Sequence, residues 1–164
     1  MTFDEAVRHL LHGDFSLLEP HQSQILEWAK EGRFAAHADA LAEALSAACF
    51  VGRTDVAEYL LAHGVDPAAG NRTGLDALHW AADRGQLDAV RLLLRHHAPL
   101  DRRNMYGGTA LGAAVWSATH TLRPAHLQII EELLKAGART QEVEVPTANP
   151  EINAILEGYR GLEV

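Results

Sequence analysis

Gly74-Leu75-Asp76-Ala77-Leu78-His79-Trp80-Ala81-Ala82-Asp83-Arg84-Gly85-Gln86-Leu87-Asp88-Ala89-Val90-Arg91-Leu92-Leu93-Leu94 is the stretch whose pattern decides the fold. Ala77, Leu78, Ala81 and Ala82 make a narrow face of small residues, Gly85 interrupts it, and Leu87, Val90, Leu93 and Leu94 then recur at three to four residues. This spacing predicts two short helices joined by a turn. The small residues of the first helix let neighbouring units approach closely, while the leucines of the second fill the volume behind them.

The same pattern recurs on both sides. Leu45, Leu78 and Leu111 are spaced 33 residues apart, as are Ala44, Ala77 and Ala110, and Ala48, Ala81 and Ala114. The step also links Gly52 with Gly85, Leu60 with Leu93 and Leu61 with Leu94. Past the first helix of the third unit it lengthens to 40, mapping Leu87 to Leu127, Leu93 to Leu133 and Leu94 to Leu134. Seven residues are therefore inserted within Ser117–Ala125. A fixed period of this length marks a stack of supersecondary units. Gly64 and Gly137 fall where a second helix ends in a left-handed turn, and His97 is a weaker cap at the equivalent place.

The middle unit resembles the ankyrin repeat, whose pattern runs G-x-T-P-L-H-x-A-A-x-x-G-x-x-x-x-V-x-x-L-L. Asp76 replaces the Thr and Ala77 the Pro, and an aspartate still caps a helix through its carboxylate. Gly107-Gly108-Thr109-Ala110-Leu111-Gly112 of the third unit keeps the Thr and loses the His. The first unit, Ala40 to Pro67, keeps the helix-pair core without that opening. The resemblance covers about residues 38–140 and implies an all-α ankyrin-repeat solenoid of stacked helix-turn-helix units with capping helices at both ends. The expected layout is one domain over 1–164. It comprises a degenerate repeat or cap at 1–36, units at 37–70, 71–103 and 104–140 with an inserted loop near 117–125, and a C-terminal capping helix within 146–164.

The ends fit that layout, because a stack leaves an apolar face open at each terminus. Phe3, Val7, Leu10 and Leu11 lie on one side of a helix expected over 3–12, ending at Gly13. Glu19 to Lys30 reads as a second helix with Pro20 near its first turn. Asn149 and Pro150 open a last helix, expected at about 150–158, whose Ile152, Ile155 and Leu156 close the final unit.

At 164 residues, 48% of them apolar, the chain suffices for one continuous core. No run of apolar residues is long enough to span a membrane, and Met1 to Asp14 lacks the pattern of a secretory signal. One cysteine, Cys49, forms no internal disulfide, which fits a reducing, cytoplasmic compartment. The net charge of −8 gathers at the ends: residues 1–66 carry eleven acids and four bases, 102–141 two acids and five bases. Acidic ends argue against nucleic acid as a partner. They suit either a solvated surface or a basic partner.

Little in the sequence points to catalysis. His96 and His97 diverge, and His9 and His12 lack companions at zinc-ligand spacing, so no metal or cofactor is expected. His79 sits at the family's structural histidine, which the resemblance implies is a brace for the preceding turn. Tyr106-Gly107-Gly108-Thr109 lacks the lysine of a phosphate-binding loop, and Cys49 aligns with the packing residue Ala82. The chain is thus expected not to be an enzyme. A metal- or small-molecule-dependent accessory enzyme at His120 and His126 is the least favoured alternative.

The resemblance implies a concave surface, built from turn tips and first helices, that binds another protein. Phe50, Asp83 and Trp116 share one repeat position and Arg84 and Ser117 follow the last two. The turns add Arg72 and Thr73, then Arg103, Met105 and Tyr106. Aromatics and a methionine beside arginines have the composition of an interaction hot spot. A packing reading stands beside this one: Phe50 against the N-terminal cap, Trp116 under the inserted loop, Tyr106 bracing its own turn. The expected function is a monomeric scaffold or adaptor, the alternative an immunity or inhibitor protein that neutralises a basic toxin or enzyme. The stretch Asn104–Thr109 with the loop after it resembles a variant in small bacterial ankyrin proteins, which implies a cytoplasmic bacterial origin.

Overall fold

The computed structural model describes residues 1–70 and 72–162; Asn71, which opens the expected second unit, and Glu163 and Val164, which end the expected cap, lie outside them. All regular structure among the described residues is helical. Four helix pairs run in order: α1 (Phe3–His12) and α2 (Gln22–Lys30), α3 (Ala38–Val51) and α4 (Thr54–Ala62), α5 (Ala77–Arg84) and α6 (Leu87–Arg95), α7 (Ala110–His120) and α8 (His126–Lys135). The last helix is α9 (Pro150–Arg160), preceded by a 3-10 turn at Thr140–Glu142.

Local chemistry sets these boundaries. Thr2 Oγ1 accepts from the Glu5 amide at 3.2 Å while the Glu5 carboxylate accepts from the Thr2 amide at 2.7 Å, a reciprocal cap that opens α1. Asp76 Oδ1 accepts from the His79 amide at 3.0 Å to open α5, and Thr109 Oγ1 does the same for α7 through Gly112 at 3.2 Å. Asn149 caps α9, and Pro150 stands at the first helical position, where its missing N–H costs nothing. Beyond the outer helices, Gly64, His97 and Gly137 hold φ of 93°, 60° and 110°. His97 is the one non-glycine with positive φ among the described residues, so the middle unit carries backbone strain that its neighbours avoid.

The pairs stack in two layers. Helices α1, α3, α5 and α7 pack side by side as the inner layer, α2, α4, α6 and α8 as the outer, and α9 lies on α8. Along that layer Ala44, Leu45 and Ala48 of α3, Ala77, Leu78 and Ala81 of α5, and Ala110, Leu111 and Ala114 of α7 are all buried. Alanines at this interface permit the close approach that the 33-residue step requires. Leu60, Leu93 and Leu133 fill the space between layers.

Two segments differ from the sequence expectation. The second N-terminal helix begins at Gln22, not Glu19, because Phe15–His21 winds as a 3-10 turn that contains Pro20. The insertion is only partly a loop. α7 continues through Ala118, Thr119 and His120, and five residues then return the chain to α8. Thr121 ends α7.

Candidate partner-binding surface

The turn tips form a connected ladder. Arg72 donates its amide to Glu43 Oε1 at 2.8 Å, and its guanidinium stands 3.4 Å from Asp39. One unit on, the Met105 amide donates to the Gly74 carbonyl at 2.8 Å. A Cβ on Gly74, whose φ is +81°, would lie 2.6 Å from that of Met105, so the close approach of the two turns requires glycine. Arg102 Nη1 donates to the Ala68 carbonyl at 2.9 Å, and the Arg103 guanidinium pairs with the Glu142 carboxylate of the 3-10 turn. Ion pairs and backbone bonds thus tie each tip to the next.

Glu43 is the strained member of this ladder. It is buried, one carboxylate oxygen holds the Arg72 amide, and Oε2 has no hydrogen-bond partner. Burial pushes its pKa above the usual value of 4.5, against the opposing pull of the Arg72 amide and charge. A raised pKa in the folded state means that Glu43 stabilises the fold fully below pH 4.5 and that this contribution is lost as pH rises through its folded-state value. Glu43→Gln therefore gains stability relative to the wild type as pH increases from 4.5 toward 8, read from urea midpoints across that range. A constant gap between the two proteins contradicts the assignment.

The tip at 103–108 is held rigid by Asn104, whose Oδ1 accepts from the amides of Tyr106 at 2.9 Å and Gly108 at 3.0 Å. The brace is Asn104, not the Tyr106 ring, which is 82% exposed. Met105 is 64% exposed beside it, and Trp116 on α7 is 61% exposed, stacked on His120 at 4.0 Å between centroids. The extended helix thus leaves Trp116 uncovered. Tyr106 and Trp116 are not adjacent: α7 separates them, and the six-residue rise from Ala110 to Trp116 alone spans about 9 Å.

Phe50, Asp83 and Trp116 share a repeat position without sharing an environment. Phe50 is half-buried, edge-on to Phe15 at 5.8 Å and to Trp80 at 5.3 Å, so it packs on the N-terminal cap. Asp83 accepts from the hydroxyl of Ser117, which is itself buried. Thr73 is half-buried; its hydroxyl donates to the Leu75 carbonyl at 3.3 Å and accepts from Trp80 Nε1 at 3.4 Å. Arg84 is half-buried with its guanidinium 4.5 Å from the Phe50 centroid. Of the ten residues singled out from the sequence, Arg72, Arg103, Met105, Tyr106 and Trp116 are exposed, and the other five are half-buried or buried.

The sequence reading missed what holds the insertion. Arg123 Nη1 donates to the Arg84 carbonyl at 2.6 Å, and the buried His126 lies 3.1 Å from the Asp83 carbonyl through Nε2. His126 Nδ1 accepts from the Arg123 amide at 3.0 Å, so the ring proton sits on Nε2 and both nitrogens are engaged. The two side chains satisfy carbonyls at the C-terminal end of α5 that its own helix leaves free. No spacing signal in the sequence connects residues 39 and 43 positions apart.

A family model described as "Ankyrin repeats (3 copies)" matches residues 3–104 and 45–144. The chain belongs to the ankyrin-repeat family. The first helix pair, whose repeat character is faint in the sequence, falls within the match. Protein fem-1 homolog A-like of Mus musculus is 36% identical over 91 residues, covering 56% of this chain and 13% of the mouse protein. The ankyrin fold marks the chain as a protein-interaction module. His79 acts as the brace typical of the repeat: Nδ1 lies 2.7 Å from Asp76 Oδ1 and Nε2 3.1 Å from the Gly108 carbonyl of the next tip.

Other chemistry finds little footing. Cys49 is fully buried, and burial, with the charge of Asp76 second, pushes its thiol up to about 12, so it is not a nucleophile at neutral pH. Among the described residues no group of three His, Cys, Asp or Glu converges on a metal-binding position, and no helix is long and apolar enough to cross a membrane.

Proposed function

We propose that this ankyrin stack is a cytoplasmic scaffold or adaptor that acts as a monomer, without catalysis or cofactor. It binds a partner protein through the concave face carrying Phe50, Arg72, Thr73, Asp83, Arg84, Arg103, Met105, Tyr106, Trp116 and Ser117. The observation that supports this reading best is the exposure of three large apolar side chains on one repeat: Met105 and Tyr106 on a tip fixed by Asn104, and Trp116 farther along α7. Large apolar side chains on a rigid backbone lose little entropy when a partner covers them. Phe50 enters as the support of Arg84, and Thr73 and Ser117 as the chain neighbours of Arg72 and Trp116. The acidic stretch 1–66 favours a second reading, an inhibitor that neutralises a basic protein.

Hydrogen exchange of the chain, alone and with a partner captured from lysate, tests the placement. The expected result is slowed exchange at amides of 72–75, 103–108 and 116–123. Protection confined to the N-terminal segment 1–36 favours the inhibitor reading, and protection confined to α4, α6 and α8 contradicts a concave site.

A further inference from the structure

Arg84 is a cation without an anion. It is half-buried at the end of α5, its Nε is buried with no hydrogen-bond partner, and its guanidinium lies against the Phe50 ring. No carboxylate among the described residues pairs with it, although the chain carries a net charge of −8. The neighbouring Asp83 is occupied by the Ser117 hydroxyl. Arg123, half-buried beside Gly85, likewise has no carboxylate partner and spends one nitrogen on the Arg84 carbonyl. Partly desolvating a guanidinium without a counter-charge is unfavourable, and stacking on one ring offsets that only in part.

The geometry points to a carboxylate-recognition site: Arg84, with Arg123 behind it, receives an acidic side chain from a partner peptide whose adjacent apolar residue lies on Trp116. The inference rests on the concave-face reading and names the chemistry of its partner. Phe50 holds the guanidinium in place from below, leaving its terminal N–H groups to donate to a carboxylate. Trp116, one repeat further along at the position equivalent to Asp83 and next in sequence to the Ser117 that bonds Asp83, supplies exposed apolar area on the neighbouring helix. Charge complementarity selects the acidic segment. Nucleic acid is disfavoured, because two cations in an acidic chain do not make the sustained basic surface it needs.

The test uses the full chain and a short fluorescent peptide in which glutamates flank leucine, beside a counterpart with glutamine at every glutamate. Anisotropy at low salt is expected to show the glutamate peptide binding about tenfold or more tightly than the glutamine one. Arg84→Gln abolishes that preference, Arg84→Lys retains part of it, and both variants melt close to the wild type. Equal binding of the two peptides, or a preference that survives Arg84→Gln, overturns the assignment. Tighter binding of a single-stranded oligonucleotide than of the glutamate peptide also overturns it. If both peptides bind equally and Trp116→Ala weakens both, the carboxylate assignment falls while the concave-face reading stands. If the glutamate preference is intact and Trp116→Ala changes neither peptide, the apolar half of the site is wrong.

Discussion

Phe15→Ala lowers the free energy of unfolding by about 3–5 kcal/mol, the range for removing a buried aromatic ring. Phe15 is 1% exposed and lies outside the repeat pattern, in the 3-10 turn between α1 and α2. Its ring centroid is 5.8 Å from Phe50 and 5.5 Å from Trp80, both edge-on, and those two are 5.3 Å apart. Three aromatic rings from three successive units therefore make one cluster, with edge-to-face contacts that add to simple burial. Deleting the central ring leaves a cavity and frees Phe50, on which Arg84 rests. Urea denaturation checks this: the midpoint falls while the slope stays constant. A loss under about 1 kcal/mol places Phe15 outside the core and removes the support assigned to Phe50.

The helix pairs of the three central units were legible because their core positions repeat at a fixed step, and packing at those positions depends only on neighbouring units. The capping glycines were legible for the same reason. Phe50 was legible only as one of two readings. The repeat places it on the surface and the packing alternative sets it against the N-terminal cap, where Phe15, 35 residues earlier and in no repeat register, lies edge-on to it. The start of α2 was misjudged by three residues because Pro20 suits the first turn of an α-helix and a 3-10 turn equally well. The insertion looked like a loop since Thr119 and His120 show no apolar period. In the folded chain Thr119 Oγ1 donates to the Trp116 carbonyl at 2.8 Å and His120 Nδ1 lies 2.7 Å from it, capping a helix that the pattern had already ended.

The candidate surface was legible as a set of positions and not as an arrangement. Repeat register set Tyr106, Met105 and Trp116 at outward positions, and all three side chains are exposed. It said nothing of the pairings that bury Ser117 against Asp83 or draw Arg103 to Glu142, since those depend on the insertion and the C-terminal turn. Residues tied to the repeat follow from the sequence; residues answering to its irregular parts do not.

The combined substitution Tyr106→Ala and Trp116→Ala bears most directly on the claim that this stack is a binding module. Both side chains are mostly solvent-exposed, so truncating them removes little buried area. Unfolding should shift by no more than about 0.5 kcal/mol per site, as for surface substitutions. Affinity should respond strongly, because aromatic anchors at an interface centre each contribute about 2 kcal/mol or more. The measurement is a calorimetric titration of the captured partner into the wild type and the double variant, with thermal melts of each in parallel. A loss of about a hundredfold or more in affinity at an unchanged melting temperature is the result the account predicts. Unchanged affinity, or a lowered melting temperature with full affinity per folded molecule, contradicts it.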